Sequence, residues 1–384
     1  MGRVRFSDVV KRVNVFVDRE HTDLLYYVGG EHIDSDAFMV RKNGLIKGAT
    51  IGYKFHFGFQ PGHILFMSRN PHLRKCSMVD FAGVCSDSTY VVETRDENVL
   101  LQKYLLIEMQ SDRFWKWAEE NKSGSVNYLI NYCTLDSYEF DLPPIEEQRA
   151  LVEKLWAAND LKEKYQHLLA STDEMLKAKF REMFGEIHLN DKQWPEYKFK
   201  DVADSRLGKM LDAKKQTGKC AFPYLANVNV QWFRFDLTDL KQMDFDDADQ
   251  QEFALRDGDV LVCEGGVVGR SCIWHNQIEK CFFQKALHRV RCNQEFVVPE
   301  FLVWWFYWNS ENHVFDILGK KTTIAHLPGE KLKSLDIALP PMDLQREFVA
   351  IANAAEASKT ELKKSITSID AVMKGLVNGR RSTI

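Results

Sequence analysis

The residues whose types and spacing invite chemistry here are cations and amides rather than nucleophiles. Between Lys198 and Lys219 stand seven Lys or Arg against three Asp, including Lys209, Lys214, Lys215 and Lys219. Asn229, Arg270, Gln284, Lys285 and Arg289 follow, and the stretch "GKKTTIAHLPGEKLK" adds Lys320, Lys321, Thr322 and Thr323. Lys and Arg suit phosphate oxygens, while Arg, Asn, Gln and Thr can also hydrogen-bond base edges. A single Lys is more often merely solvated, so the clustering is the signal. Arg41, Lys42, Lys47, Arg69, Arg74 and Lys75 form a sparser group in the first third of the chain. Downstream of Lys219 the charge inverts, with nine acids against two bases from Asp236 to Asp259. Segregation of this kind lets one edge of a domain face phosphate while another faces water or a protein.

Apparatus for making or breaking bonds is missing from the sequence. No HExxH or GxSxG occurs. Asp259 and Glu264 lack the Lys that accompanies a nuclease acid pair, and "RNPHL" at Arg69 falls short of the Asn-Pro-Pro-aromatic motif of amino-methyltransferases. The run "CEGGVVGRSC" has neither the Lys-Ser/Thr ending of a phosphate loop nor a GxGxxG spacing. It reads as a turn between strands, where Gly266 and Gly269 permit close backbone approach, DNA backbone included. Cys263, Cys272, Cys281 and Cys292 contain no CxxC pair, so no zinc site is expected. No catalytic residue, metal or cofactor is assigned to this chain.

The elements that must position these cations come from a repeat. A length of 384 residues exceeds one ordinary core. "LPPIEEQRAL" at Leu142 returns as "LPPMDLQREF" at Leu339, and "RFSDVV" at Arg5 returns as "KFKDVA" at Lys198. "QPGHILF" at Gln60 matches "RDGDVLV" at Arg256, "QKYLLIEMQS" at Gln102 matches "PEFLVWWFYWNS" at Pro299, and "SVNYL" at Ser125 matches "TIAHL" at Thr323. Five matches in one order, at nearly constant offset, imply duplication.

After each LPP the sequence sheds Gly and Pro and becomes rich in Glu, Lys, Leu and Ala, which predicts a long helix. A four-three spacing runs through Leu151, Leu155, Tyr165, Leu169 and Leu176 in the first tract. The second carries it through Phe348, Leu362, Ile366, Ile369 and Met373. Both carry Lys at the same seam position, Lys162 and Lys359. This is the pattern of a coiled-coil seam, and shared register favours mutual pairing over two unrelated surface helices. The expected class is α+β: two mixed α/β domains separated by an antiparallel two-helix coiled coil, with an internal pseudo-two-fold repeat. The expected boundaries are 1–142, 143–186 for the first helix, 187–339, and 340–380 for the second.

Net charge of −4 argues against a strongly basic coat protein. "MGRVRFSDVVKRVNVF" has no apolar signal region, and "FLVWWFYW" is too short to span a bilayer, so a cytoplasmic location without membrane partners is expected. The cysteines then read as reduced, small, buried hydrophobes.

Taken together, the two LPP-x3-Q elements, the helices after them, and "FPYLANVNV", "LRDGDVLVCEGGVVGR" and "FQKALHRVR" resemble the specificity (S) subunits of type I restriction-modification enzymes. The resemblance spans nearly the whole chain, the first half being more divergent while retaining "PGHILF", "DFAGVCS" and "NYL". It implies two target recognition domains that read a bipartite double-stranded DNA sequence, held apart by the helices. It also implies docking of two methyltransferase subunits, with restriction subunits able to join; S-adenosylmethionine, ATP and magnesium would belong to those partners. Because the two halves differ greatly, an asymmetric target is expected. The competing reading is a coiled-coil scaffold whose end domains hold proteins.

Overall fold

The computed structural model describes residues 2–18, 21–212, 216–317 and 326–379. The chain forms two compact units, Met1–Leu168 with Glu361–Ile384, and Leu169–Thr360.

In the first unit, strand Gly2–Arg5 pairs antiparallel with Glu139–Leu142, setting Arg5 opposite Glu139. One helical turn, Phe6–Val9, buries Phe6 and Val9 and turns the chain into a four-stranded sheet. Its order is Val10–Val13, Thr89–Thr94, Ile64–Met67, Cys76–Met78. Helices Gln102–Met109 and Asp112–Glu120 supply Tyr104, Leu105, Phe114 and Trp115 to a core shared with Phe66 and Tyr90. Ser111 caps the second of these helices by accepting from the Phe114 N–H, a bond worth about 1 kcal/mol. A five-stranded sheet follows the order Val15–Phe16, Phe55–Phe59, Gly83–Ser86, Tyr26–Val28, Gly44–Leu45. It packs a smaller core of Val28, Phe59, Cys85 and Val91.

The second unit repeats the frame of the first, while its smaller sheets differ, with three and two strands in place of five. Strand Glu196–Lys198 pairs with Asp336–Ala338, setting Lys198 opposite Asp336, and the turn Phe199–Val202 again buries Phe and Val. Its four-stranded sheet runs Ala203–Leu207, Leu287–Cys292, Val260–Cys263, Ser271–Ile273. "FLVWWFYW" lies on helix Pro299–Glu311, which buries Phe301, Trp304, Trp305 and Phe306 within this unit. A separate core of Tyr224, Phe245, Trp274 and Phe282 supports the strands and loops between residues 221 and 287.

The long helices run Ile145–Phe184, 40 residues, and Met342–Asn378, 37 residues. Each is a little shorter than its expected tract, and each contributes to both units. At 1.5 Å per residue the first is about 60 Å long. In the first unit, Leu155 near the start of one helix shares a core with Met373 and Val377 near the end of the other. In the second unit, Phe180 and Phe184 near the end of the first helix pack on Phe348 near the start of the second. Within each unit the two helices therefore run in opposite directions. Leu155, Leu176, Phe348 and Met373 are buried, while Leu151, Tyr165, Leu169, Leu362, Ile366 and Ile369 are half-buried; none of the ten expected seam residues is exposed. The seam lysines find acids across the helix pair: Lys162 bonds Asp370 at 2.6 Å in the first unit, and Lys359 bonds Asp173 at 2.5 Å in the second.

The glutamine of each LPP-x3-Q element ties a helix to its unit. Gln148 and Gln345 are both fully buried. The Gln148 carbonyl accepts from the Leu101 N–H at 3.0 Å, and its amide donates to the carbonyls of Val99 and Pro143, both at 2.9 Å. The Gln345 carbonyl accepts from the Val298 N–H at 3.0 Å, and its amide donates to Phe296 at 2.9 Å and Pro340 at 2.8 Å. Leu101 and Val298 are the residues from which Gln102–Met109 and Pro299–Glu311 start. One side chain thus satisfies an orphan N–H at a helix start and holds the Pro-Pro turn against it.

Candidate nucleic-acid interface

In the second unit the polar loops are stitched together by backbone hydrogen bonds at one end of the four-stranded sheet. The Lys209 N–H donates to Phe283, the Lys285 N–H to Lys209, the Glu264 N–H to Ala286, and the Leu327 N–H to Glu264, at 2.8 to 3.1 Å. The Asn227 side-chain amide donates to the Gly265 carbonyl at 2.8 Å. Gly266 has φ +74°, and a Cβ there would stand 3.2 Å from the Asn227 Nδ2. The turn therefore needs glycine. The rim so formed exposes Lys285 and Gly266, and Met210, Leu211, Lys219, Val228 and Val267 of the same unit are exposed as well.

Two further contacts hold these loops. The Asp244 carboxylate accepts from the Thr217 N–H, the Thr217 hydroxyl at 2.8 Å and the Gly218 N–H at 3.0 Å, fixing the turn that carries Lys219. Those donors, the Thr217 amide foremost, hold its pKa below the usual carboxylate value. His288 is fully buried, and its Nε2 lies 2.8 Å from the Leu327 carbonyl, which makes Nε2 the protonated nitrogen. Burial lowers the His288 pKa, so the ring stays neutral and the segment after Leu327 is anchored by a donated hydrogen bond.

The expected site residues divide by this geometry. Gln284 is half-buried and Lys219 exposed, and neither side chain has a polar partner among the described residues. Among the described residues, Lys285 approaches only the Met210 sulfur, at 3.8 Å. Lys209 spends its ammonium on the Asp244 carbonyl and the Asp249 carboxylate, and Arg270 donates to the Asn227 carbonyl at 2.9 Å. Asn229 is buried, with its amide committed to Ala226, Asp236 and Asp239. Arg289 is buried away from the rim, bonded to Asp204 and the Glu252 carbonyl, its pKa lowered first by burial and then by Arg291. Lys214, Lys215, Lys320, Lys321, Thr322 and Thr323 lie outside the described residues.

In the first unit, three of the six expected cations are neutralised internally. Arg41 pairs with Glu163 at 2.7 Å and Asp80 at 2.6 Å, and the Glu163 hydrogen bond is the main cause of its raised pKa. Lys42 pairs with Asp34 at 2.7 Å, Arg74 with Asp36 and Asp112 at 2.6 Å, and Lys75 donates to the Gly30 carbonyl. Arg41 and Arg74 line a cleft of about 500 Å³ that includes Lys162 and Asp370 of the long helices. Lys47 and Arg69 are exposed and without a side-chain partner among the described residues. The sequence reading passed over Arg12, whose guanidinium lies 4.6 Å from the Tyr90 ring centroid, 5.2 Å from Phe57 and 5.4 Å from Tyr132. Spacing could not have revealed it, because the three rings come from distant parts of the chain.

Two α/β units, each with a four-stranded sheet of one strand order and each packed on both long helices, make up the fold, and the second presents a rim of loops. Residues 191–369 match the family described as the type I restriction modification DNA specificity domain, and the chain resembles type I specificity subunits. The type I restriction enzyme EcoDI specificity subunit of Escherichia coli is 29% identical over 109 residues, 28% of this chain and 24% of that protein. The chain therefore matches about a quarter of that relative's length. Its fold is shared with a type I restriction-modification S subunit from M. genitalium, at a TM-score of 0.59 and 13% identity over 100% of this chain and 96% of that one. A chain from a structure of type I R-M complex assembly and conformational transition gives a TM-score of 0.58 at 17% identity, covering 98% and 96%.

Proposed function

We propose that this chain is the DNA-reading subunit of a type I restriction-modification complex, without catalysis of its own. Each unit reads one part of a bipartite, asymmetric duplex target, and the paired helices act as an antiparallel coiled coil that sets the separation and rotational phase of the two readings. Methyltransferase subunits, two per chain, dock on it and restriction subunits join them. S-adenosylmethionine, ATP and magnesium belong to those partners.

The observation that carries the reading is the repetition of one joint. Gln148 and Gln345, 197 residues apart, make the same three hydrogen bonds to partners that are also 197 residues apart. Lys162–Asp370 and Lys359–Asp173 are likewise exchanged by that offset. The specificity-domain match falls on the second copy. Two unlike reading units on one repeated frame suit a target with two unlike halves.

The test is the methylation pattern of the host genome with and without this gene. One bipartite adenine-methylated motif should vanish on deletion, and purified complex should bind that motif with steep salt dependence. A methylome unchanged by deletion while the complex is expressed would end the reading.

A further inference from the structure

We propose that Arg12, held in an aromatic cage beside the exposed Phe16–His56 stack, is a DNA-contacting residue of the first unit, meeting a pair of hydrogen-bond acceptors on the duplex. The proposal rests on the reading above and gives the first unit a contact that its neutralised cations do not.

Arg12 stands opposite Val92 on the edge strand Val10–Val13. Tyr90, Phe57 and Tyr132 all lie within 5.4 Å of its guanidinium carbon. A guanidinium held against ring faces keeps N–H donors in a fork that can meet two acceptors at once. The side chain is half-buried, but none of its nitrogens is sealed from solvent without a partner. Among the described residues it makes no hydrogen bond or ion pair. Other cations of this unit differ: Lys11, next in the chain, pairs with Glu93 at 2.9 Å, and Arg113 pairs with Glu108 at 2.6 Å. A partly desolvated cation with unspent donors is an unfinished interaction, and an anionic or carbonyl edge completes it.

The surroundings select the partner. Phe57, the ring shared with Arg12, also contacts Phe16 at 5.0 Å and His56 at 4.5 Å. Phe16 and His56 stack at 5.2 Å with an interplanar angle of 5°, and Phe16 is 72% exposed. An apolar protein surface would cover Phe16 but bury the Arg12 donors unmatched. Duplex DNA offers acceptors for the fork, as phosphate oxygens or as guanine O6 and N7, and apolar sugar and base surface for the ring.

The experiment compares Arg12→Ala, Arg12→Lys and the parent chain, each assembled with its methyltransferase partners, on duplexes carrying the motif found in the host methylome. Arg12→Ala should weaken binding by about 5- to 100-fold. Assembly and base preference at the second unit's half-site should be unchanged. Arg12→Lys retains the charge and the cage but lacks the fork, so it should recover only part of the loss; a purely structural cation would be replaced in full. A loss uniform over base changes, with a salt slope lower by about 1, identifies phosphate. A loss confined to one base pair of one half-site identifies guanine. If Arg12→Ala assembles normally and keeps the parent's affinity, base preference and salt slope, the contact does not exist. If the parent complex itself ignores the motif, the reading of the whole chain fails, whatever Arg12 does.

Discussion

Replacing Gln345 by Ala removes three hydrogen bonds at once, from a side chain with no exposed surface. A neutral hydrogen bond contributes a net ~0.5–1.5 kcal/mol, and a stranded N–H costs toward the upper end, so the loss should be about 2–4 kcal/mol. Domain stabilities are typically about 5–15 kcal/mol, which makes this a large fraction of the second unit's stability. Gln345→Glu should be worse near neutral pH. Its carboxylate can still accept from Val298, but it turns a negative charge toward the Phe296 and Pro340 carbonyls in a buried site; protonation at acid pH should recover part of the damage. Denaturant unfolding gives the energy, and amide exchange at Val298 gives the location. Gln148→Ala should produce the matching loss, with exchange rising at Leu101. Because the two joints lie in different units and share no partner, the two losses should add in the double variant. A Gln345→Ala chain that loses under about 0.5 kcal/mol and keeps Val298 protected would show that the joint carries no strain.

Acid should loosen the second unit's rim first. Asp244 and His288 both have folded pKa values below their unfolded ones, so each contributes stability that is present above the unfolded pKa and lost as pH falls through the folded value. His288 acts below about pH 6.5 and Asp244 below about pH 4; His288→Gln should remove the higher-pH phase from an amide-exchange titration, and an unaltered titration would contradict the assignment. At the helix pair, Lys162→Asp should cost at most about 1 kcal/mol, given the partial exposure of both partners. Adding Asp370→Lys should restore most of that loss, as measured by thermal unfolding of the single and double variants. No recovery would mean that the two side chains do not interact in solution.

The two LPP-x3-Q elements, the four-three spacing and the ordered repeats made the frame legible from composition and periodicity alone. These signals are local or recur at one offset, and a long helix announces itself by losing Gly and Pro over dozens of residues. That none of the ten seam residues is exposed needs no knowledge of what each touches. What the motif glutamine does, by contrast, is invisible in one dimension, because its partners at Val99 and Leu101 lie nearly fifty residues away.

The site divides along the same line. Residue type alone marked Lys285, Gln284 and Lys219 as able to meet phosphate or bases, since charge and donor count belong to the side chain itself. Whether a donor is free depends on what folding places beside it. Arg41, Arg74 and Arg289 resemble Arg12 in sequence, yet folding gives the first three an acid partner and gives Arg12 three aromatic rings. Those carboxylates and rings are brought in by strand register and helix packing from 38 or more residues away, so only the tertiary structure decided which cations remain unspent.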